Sequence, residues 1–107
     1  MTYEVRWAPA AVQKIGRYIR TARNRAGAAR FMDGLRLYCD GFAASPHRGA
    51  THDDIRPGLR SVGYRRRATI LFVIDEGRKR VVILGVFTGG QDTAPAMRRN
   101  AKPPLEE

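Results

Sequence analysis

The stretch from Leu59 to Thr88, LRSVGYRRRATILFVIDEGRKRVVILGVFT, decides the fold of this chain. Its middle, residues 68–74 (Ala-Thr-Ile-Leu-Phe-Val-Ile), is a short unbroken apolar run of the kind a central strand requires. Asp75-Glu76-Gly77-Arg78-Lys79 follows as a polar turn with a glycine, the signal for a hairpin loop. Residues 80–88 then form a second apolar strand, closed by Gly89-Gly90, and residues 59–65 form a strand on the other side of the run. Strands joined this closely read as a mainly antiparallel sheet.

Working outward, residues 45–58 are loop-like, with Pro46, Gly49, the polar run Thr51-His52-Asp53-Asp54 and then Pro57-Gly58. Ahead of them, Phe31, Leu35, Tyr38 and Phe42 recur at helical spacing and predict a helix over 27–44. Gly34 and Gly41 lower its intrinsic propensity by roughly 1 kcal/mol each relative to alanine. Either tertiary packing makes up the deficit, or the glycines let two helices approach closely. Ala11, Ile15, Tyr18, Ile19 and Ala22 predict an earlier helix over 9–23, with Pro9 suited to its first turn. The short connection Asn24–Gly27 makes the two an antiparallel hairpin. Residues 2–7 alternate as a half-buried strand, with Tyr3, Val5 and Trp7 on one side. The expected fold is α+β in the order β-α-α-β-β-β, the helical hairpin covering one face of the sheet. Residues 1–92 form the domain. Residues 93–107 read as a partly disordered tail with one helical turn around Ala96–Asn100.

A chain of 107 residues supports one core. Hydrophobic residues at 43% against 28% charged exclude a disordered composition. No apolar run approaches the roughly 20 residues that cross a bilayer, and no secretory signal is visible, so no membrane partner and a cytoplasmic location are expected. The single Cys39 falls inside the second helix and reads as core. Net charge is +10, with 17 Arg to 3 Lys, which suits a polyanionic partner, nucleic acid or acidic protein. A GC-rich genome produces the same Arg, Ala and Gly bias without selection for binding.

The ordered landmarks resemble the ParE/RelE toxin superfamily of type II toxin–antitoxin systems. They are Tyr3–Trp7 leading into Ala10-Ala11, then Ser45-Pro46-His47-Arg48-Gly49, then Gly58-Leu59-Arg60-Ser61, and last the two apolar strands joined by Asp75-Glu76-Gly77. The resemblance spans residues 2–92. It implies a toxin neutralised by a small acidic antitoxin with a DNA-binding N-terminal domain, the two forming a hetero-oligomer. The departures bear on chemistry. Phe72 stands where relatives often carry a tyrosine, Thr88 where a histidine is common, and Gly90-Gln91 replace a basic pair, leaving Asp92. No tyrosine lies beyond Tyr64. The catalytic set of the mRNA-cleaving branch is incomplete, so the resemblance favours the ParE branch, which binds DNA gyrase. The alternative is a RelE-like ribosome-dependent mRNA endoribonuclease.

No catalytic residue, metal or cofactor is therefore assigned. The expected target-binding residues are Arg60, which matches the family's Gly-Leu-Arg, and Arg65, Arg66 and Arg67, with Tyr64 available for stacking. Arg60 either contacts a target or holds the 45–58 loop through Asp53 or Asp54. Arg17, Arg20 and Arg36 are expected on the antitoxin-binding groove edges. His47, His52, Asp53 and Asp54 match no familiar metal-ligand spacing.

Overall fold

The computed structural model describes residues 2–101. Strand β1 (Glu4–Trp7) leads into helix α1 (Pro9–Thr21), and helix α2 (Arg25–Asp40) continues as a 3-10 turn over Gly41–Ala43. Strands β2 (Ala50–Thr51), β3 (Leu59–Tyr64), β4 (Ala68–Asp75) and β5 (Arg80–Thr88) follow, then helix α3 (Ala94–Arg99). The sheet order is β1-β5-β4-β3-β2. Neighbours pair antiparallel except β1, which lies parallel to β5 with Glu4 opposite Arg80 and Trp7 opposite Ile83. The α+β order expected from sequence is present, with the two-residue β2 added at the edge. That strand is too short to alternate visibly. Gly49, at φ 74°, delivers the chain to it; a Cβ there would lie 2.1 Å from the Ser61 carbonyl oxygen.

Helix α1 starts on Pro9, which spares one orphan donor where Ala8 provides no side-chain cap. Helix α2 begins at Arg25, earlier than the connection Asn24–Gly27 implied. Asn24 is its cap, its Oδ1 accepting from the Gly27 amide at 2.9 Å. The α-helical hydrogen bonding stops at Asp40 rather than 44.

The helical hairpin covers one sheet face. Ile15, Phe31, Met32, Leu35 and Phe42 pack there on Ile70, Phe72, Ile74, Val81, Ile83 and Val86. Trp7 and Tyr3 are only partly buried against this core, while Phe31, Phe42 and Cys39 belong to it. Burial pushes the Cys39 thiol up to about 12. Gly34 leaves space not for α1 but for the sheet: a Cβ there would lie 2.7 Å from the Tyr64 hydroxyl. Alternation turns Leu59, Leu71 and Phe87 to the opposite face, where Ala96 and Met97 of α3 join them. The proposed helical turn in the tail is thus a helix that closes a second, smaller core, though residues 102–107 lie outside the described residues. A bulge shifts β5 by one residue: Leu71 faces Gly85 and Phe72 faces Ile83. It explains why inward residues run 81, 83, then 86. No helix among the described residues is long and apolar enough to cross a membrane.

Candidate functional site

Strands β3 and β4 are joined by Tyr64-Arg65-Arg66-Arg67, closed by the Arg67 amide donating to the Tyr64 carbonyl at 3.1 Å. Arg65 and Arg66 have φ of 52° and 57°, positive at both central positions as a type I′ hairpin requires. Asn-Gly is the usual occupant. A left-handed conformation costs an ordinary L-residue roughly 1–2 kcal/mol, so this turn holds arginines against local preference. Strain of this kind is common where side chains serve a partner.

The three arginines are placed differently. Arg67 lies 4.0 Å above the Phe31 ring and donates to the Tyr18 hydroxyl at 3.1 Å. Arg65 lies 5.6 Å from the Tyr64 ring centroid. Arg66 is exposed and borders a cleft of about 370 Å³ shared with Tyr18, Arg67, Thr88, Gly89 and Gly90. A second hollow of about 170 Å³ shares Tyr18 and Thr88 with it and adds Lys14, Arg17, Thr21, Met32, Val86 and Gln91. The two form one trough along the seam of α1 and β5. Lys14, Arg17, Tyr18 and Thr21 fall on one helical face, a spacing visible in the sequence. Burial, and then the nearby Arg17 and Arg99, hold the Lys14 amine below its ordinary value.

Tyr64 corrects the sequence reading. It is buried at 9% exposure, its ring 5.5 Å from Phe31 and 5.3 Å from Tyr38, so it has no free face for stacking. It alternates with Val62 onto the helix-covered side; adjacency to the arginines suggested otherwise. Arg60 does hold the 45–58 loop, but through the Arg48 carbonyl at 3.1 Å rather than through Asp53 or Asp54. Asp53 instead accepts from the Gly58 amide at 2.9 Å. Sequence reasoning gave Arg48 no role. Its guanidinium sits 5.0 Å from the Tyr38 ring and 5.4 Å from Phe42, with Nε donating to the Ser45 carbonyl at 2.8 Å.

Arg17, Arg20 and Arg36 do not share one groove edge. Arg17 lines the trough. Arg20 is exposed on α1. Arg36 pairs with Asp33 at 3.5 Å and borders a separate hollow with Trp7, Val12, Ile15 and Asp40. Phe72 is a core residue stacked 4.5 Å from Phe42, so its missing hydroxyl is not a surface loss. Thr88 and Gly90-Gln91, in contrast, do face the trough.

The two histidines are partnered separately. His47 Nε2 lies 2.7 Å from Glu76, which also accepts from the Tyr3 hydroxyl at 2.8 Å. These bonds, that of His47 first, hold the Glu76 carboxyl below its ordinary value, and the same carboxylate raises Tyr3. His52 Nε2 lies 2.8 Å from Ser61 Oγ and ties the loop to β3.

The fold, a helical hairpin on one face of a mainly antiparallel sheet, is similar to that of solved RelE and ParE toxin–antitoxin structures. Three solved structures carry the comparison. The ParDE system of Pseudomonas aeruginosa matches with a TM-score of 0.65 and 14% identity, over 80% of this chain and 95% of that one. A free-state mutant of the Escherichia coli toxin RelE gives 0.63 and 12%, over 94% and 95%. The toxin–antitoxin complex RelBE2 of Mycobacterium tuberculosis gives 0.59 and 19%, over 83% and 100%. No family model matches the chain, and no curated protein matches its sequence. The likeness is one of fold, shared by both branches.

Proposed function

We propose that this chain is the toxin of a type II toxin–antitoxin pair, that it acts by binding DNA gyrase rather than by cutting RNA, and that a cognate acidic antitoxin neutralises it in a hetero-oligomer. The fold supports the toxin reading, since both ParE and RelE structures share it. One observation carries the preference for binding over cleavage. The trough beside the strained turn is lined by Lys14, Arg17, Arg66 and Arg67, with no histidine or carboxylate lining it among the described residues. Arginine does not deprotonate in proteins. Proton transfer would fall to Lys14 or Tyr18, the other two titratable groups that line it. Such a surface grips anions better than it moves protons.

The test is controlled expression followed by two readouts, plasmid supercoiling with DNA integrity, and mRNA cleavage mapped to codon position. Altered supercoiling with intact mRNA is expected. Codon-position cuts with normal gyrase activity would replace this reading with the ribosome-dependent endoribonuclease.

A further inference from the structure

Strand β1 accompanies β5 only from Arg80 to Ile83, because the chain turns into α1 once the Ala8 amide has donated to the Ile83 carbonyl. Among the described residues β5 runs on to Thr88 with no strand on that side. A bare sheet edge needs cover, and here α1 supplies it from one face and α3 from the other. Between the two helices lies a hollow of about 270 Å³.

The hollow has two chemical characters. Leu84, Phe87 and Ala96 line it from β5 and α3, and Ala8 and Ala10 from the start of α1, so most of its wall is apolar. Lys14, Arg99 and Asn100 complete the lining, and no carboxylate lines it among the described residues. Lys14 Nζ lies 4.6 Å above the Phe87 ring. Neither Lys14 nor Arg99 forms an ion pair among the described residues. Burial and the like charges of Arg17 and Arg99 disfavour the protonated Lys14 amine, and an anion beside it would offset both.

Apolar walls call for hydrocarbon, and two cations without counter-ions call for an anion. An alcohol answers only the first and inorganic phosphate only the second. The volume lies at the small end of ligand pockets, which run roughly 300–1,000 Å³, so a compact ligand is required. We propose that this hollow binds a small carboxylic acid with an apolar body, its carboxylate shared by Lys14 and Arg99 and its hydrocarbon against Leu84, Phe87 and Ala96. Such a ligand joins α1 to α3 and steadies the helix that closes the smaller core. The site lies apart from the Arg65–Arg67 turn and does not rest on the toxin reading.

The experiment uses the full chain with octanoate, 1-octanol and inorganic phosphate, binding being read by calorimetry and by the shift in melting temperature. Octanoate should bind at one saturable site and raise the melting temperature, with the other two at least about tenfold weaker. Lys14→Gln and Arg99→Gln should each weaken octanoate by about tenfold, while Lys14→Arg keeps most of the affinity and Arg78→Ala all of it. Ala10 is exposed, so Ala10→Trp fills the hollow without entering the core and should abolish binding in a folded protein with its cations intact. Equal binding of 1-octanol, displacement of octanoate by phosphate, uptake at many unsaturable sites, or indifference to Ala10→Trp or to the two Gln variants would each overturn the assignment.

Discussion

The two hairpin turns at opposite ends of β4 each carry three basic residues and differ in what faces that charge. The β4–β5 turn carries Arg78, Lys79 and Arg80, and each has a carboxylate: Asp75 at 3.7 Å, Glu76 at 3.7 Å and Glu4 at 3.1 Å. The β3–β4 turn carries Arg65, Arg66 and Arg67 and no acid; Arg65 and Arg67 lie instead near aromatic rings. Each turn also places a basic residue at positive φ, Lys79 in one and Arg65 and Arg66 in the other. Positive charge by itself therefore does not mark a surface for partners. What distinguishes the β3–β4 turn is charge left without a counter-ion among the described residues, on a backbone with two consecutive positive φ angles.

That contrast can be broken from its foundation first. Tyr64→Ala removes the ring under the arginine turn from its contacts with Phe31 and Tyr38, and should cost about 3–5 kcal/mol in urea denaturation, the range of large aromatic truncations. Tyr3→Phe, which deletes only the exposed hydroxyl that donates to Glu76 of the other turn, should shift the midpoint far less. Replacing Arg65-Arg66 by Asn-Gly should stabilise by about 1–2 kcal/mol, seen as a higher midpoint with unchanged m-value. A loss instead would show that the arginines support the fold. Arg67→Ala should cost about 1 kcal/mol through the lost contact with Phe31; equal effects from Arg67→Ala and Arg78→Ala would erase the distinction between the turns. The smallest effect is pH-dependent. Glu76 is held below its ordinary 4.5 by His47 and Tyr3, so its contribution is present above that value and is lost as pH falls through the lower folded value. Stability curves of Glu76→Gln and parent should converge in acid and separate toward neutrality.

Much of the fold was legible because alternation and helical spacing report burial directly. Val62 and Tyr64, and Ile70, Phe72 and Ile74, mark the helix-covered face by parity alone. The same parity argued for a buried Tyr64; the neighbouring arginines drew the reading toward the surface. The bulge at Leu71/Phe72 left no sequence signal, because either register keeps β5 apolar. The site was half visible. The basic run and the face Lys14, Arg17, Tyr18 and Thr21 stand out locally, but their convergence depends on β5 bringing Thr88 to α1 and on a turn that points Arg66 toward it. Contacts between distant segments are set by sheet order, which spacing does not encode.

Sheet order also governs timing. The opening strand finds its neighbour in the sheet only in β5, the last of the five described strands in chain order, and α1 packs on that same strand. A nascent chain without Arg80–Thr88 has neither a seat for Tyr3–Trp7 nor one wall of the trough. Long-range pairing of this kind is slow relative to local structure. The surface shared by α1 and the Arg65–Arg67 turn is thus assembled only once β5 is available, late in the order in which the described elements emerge.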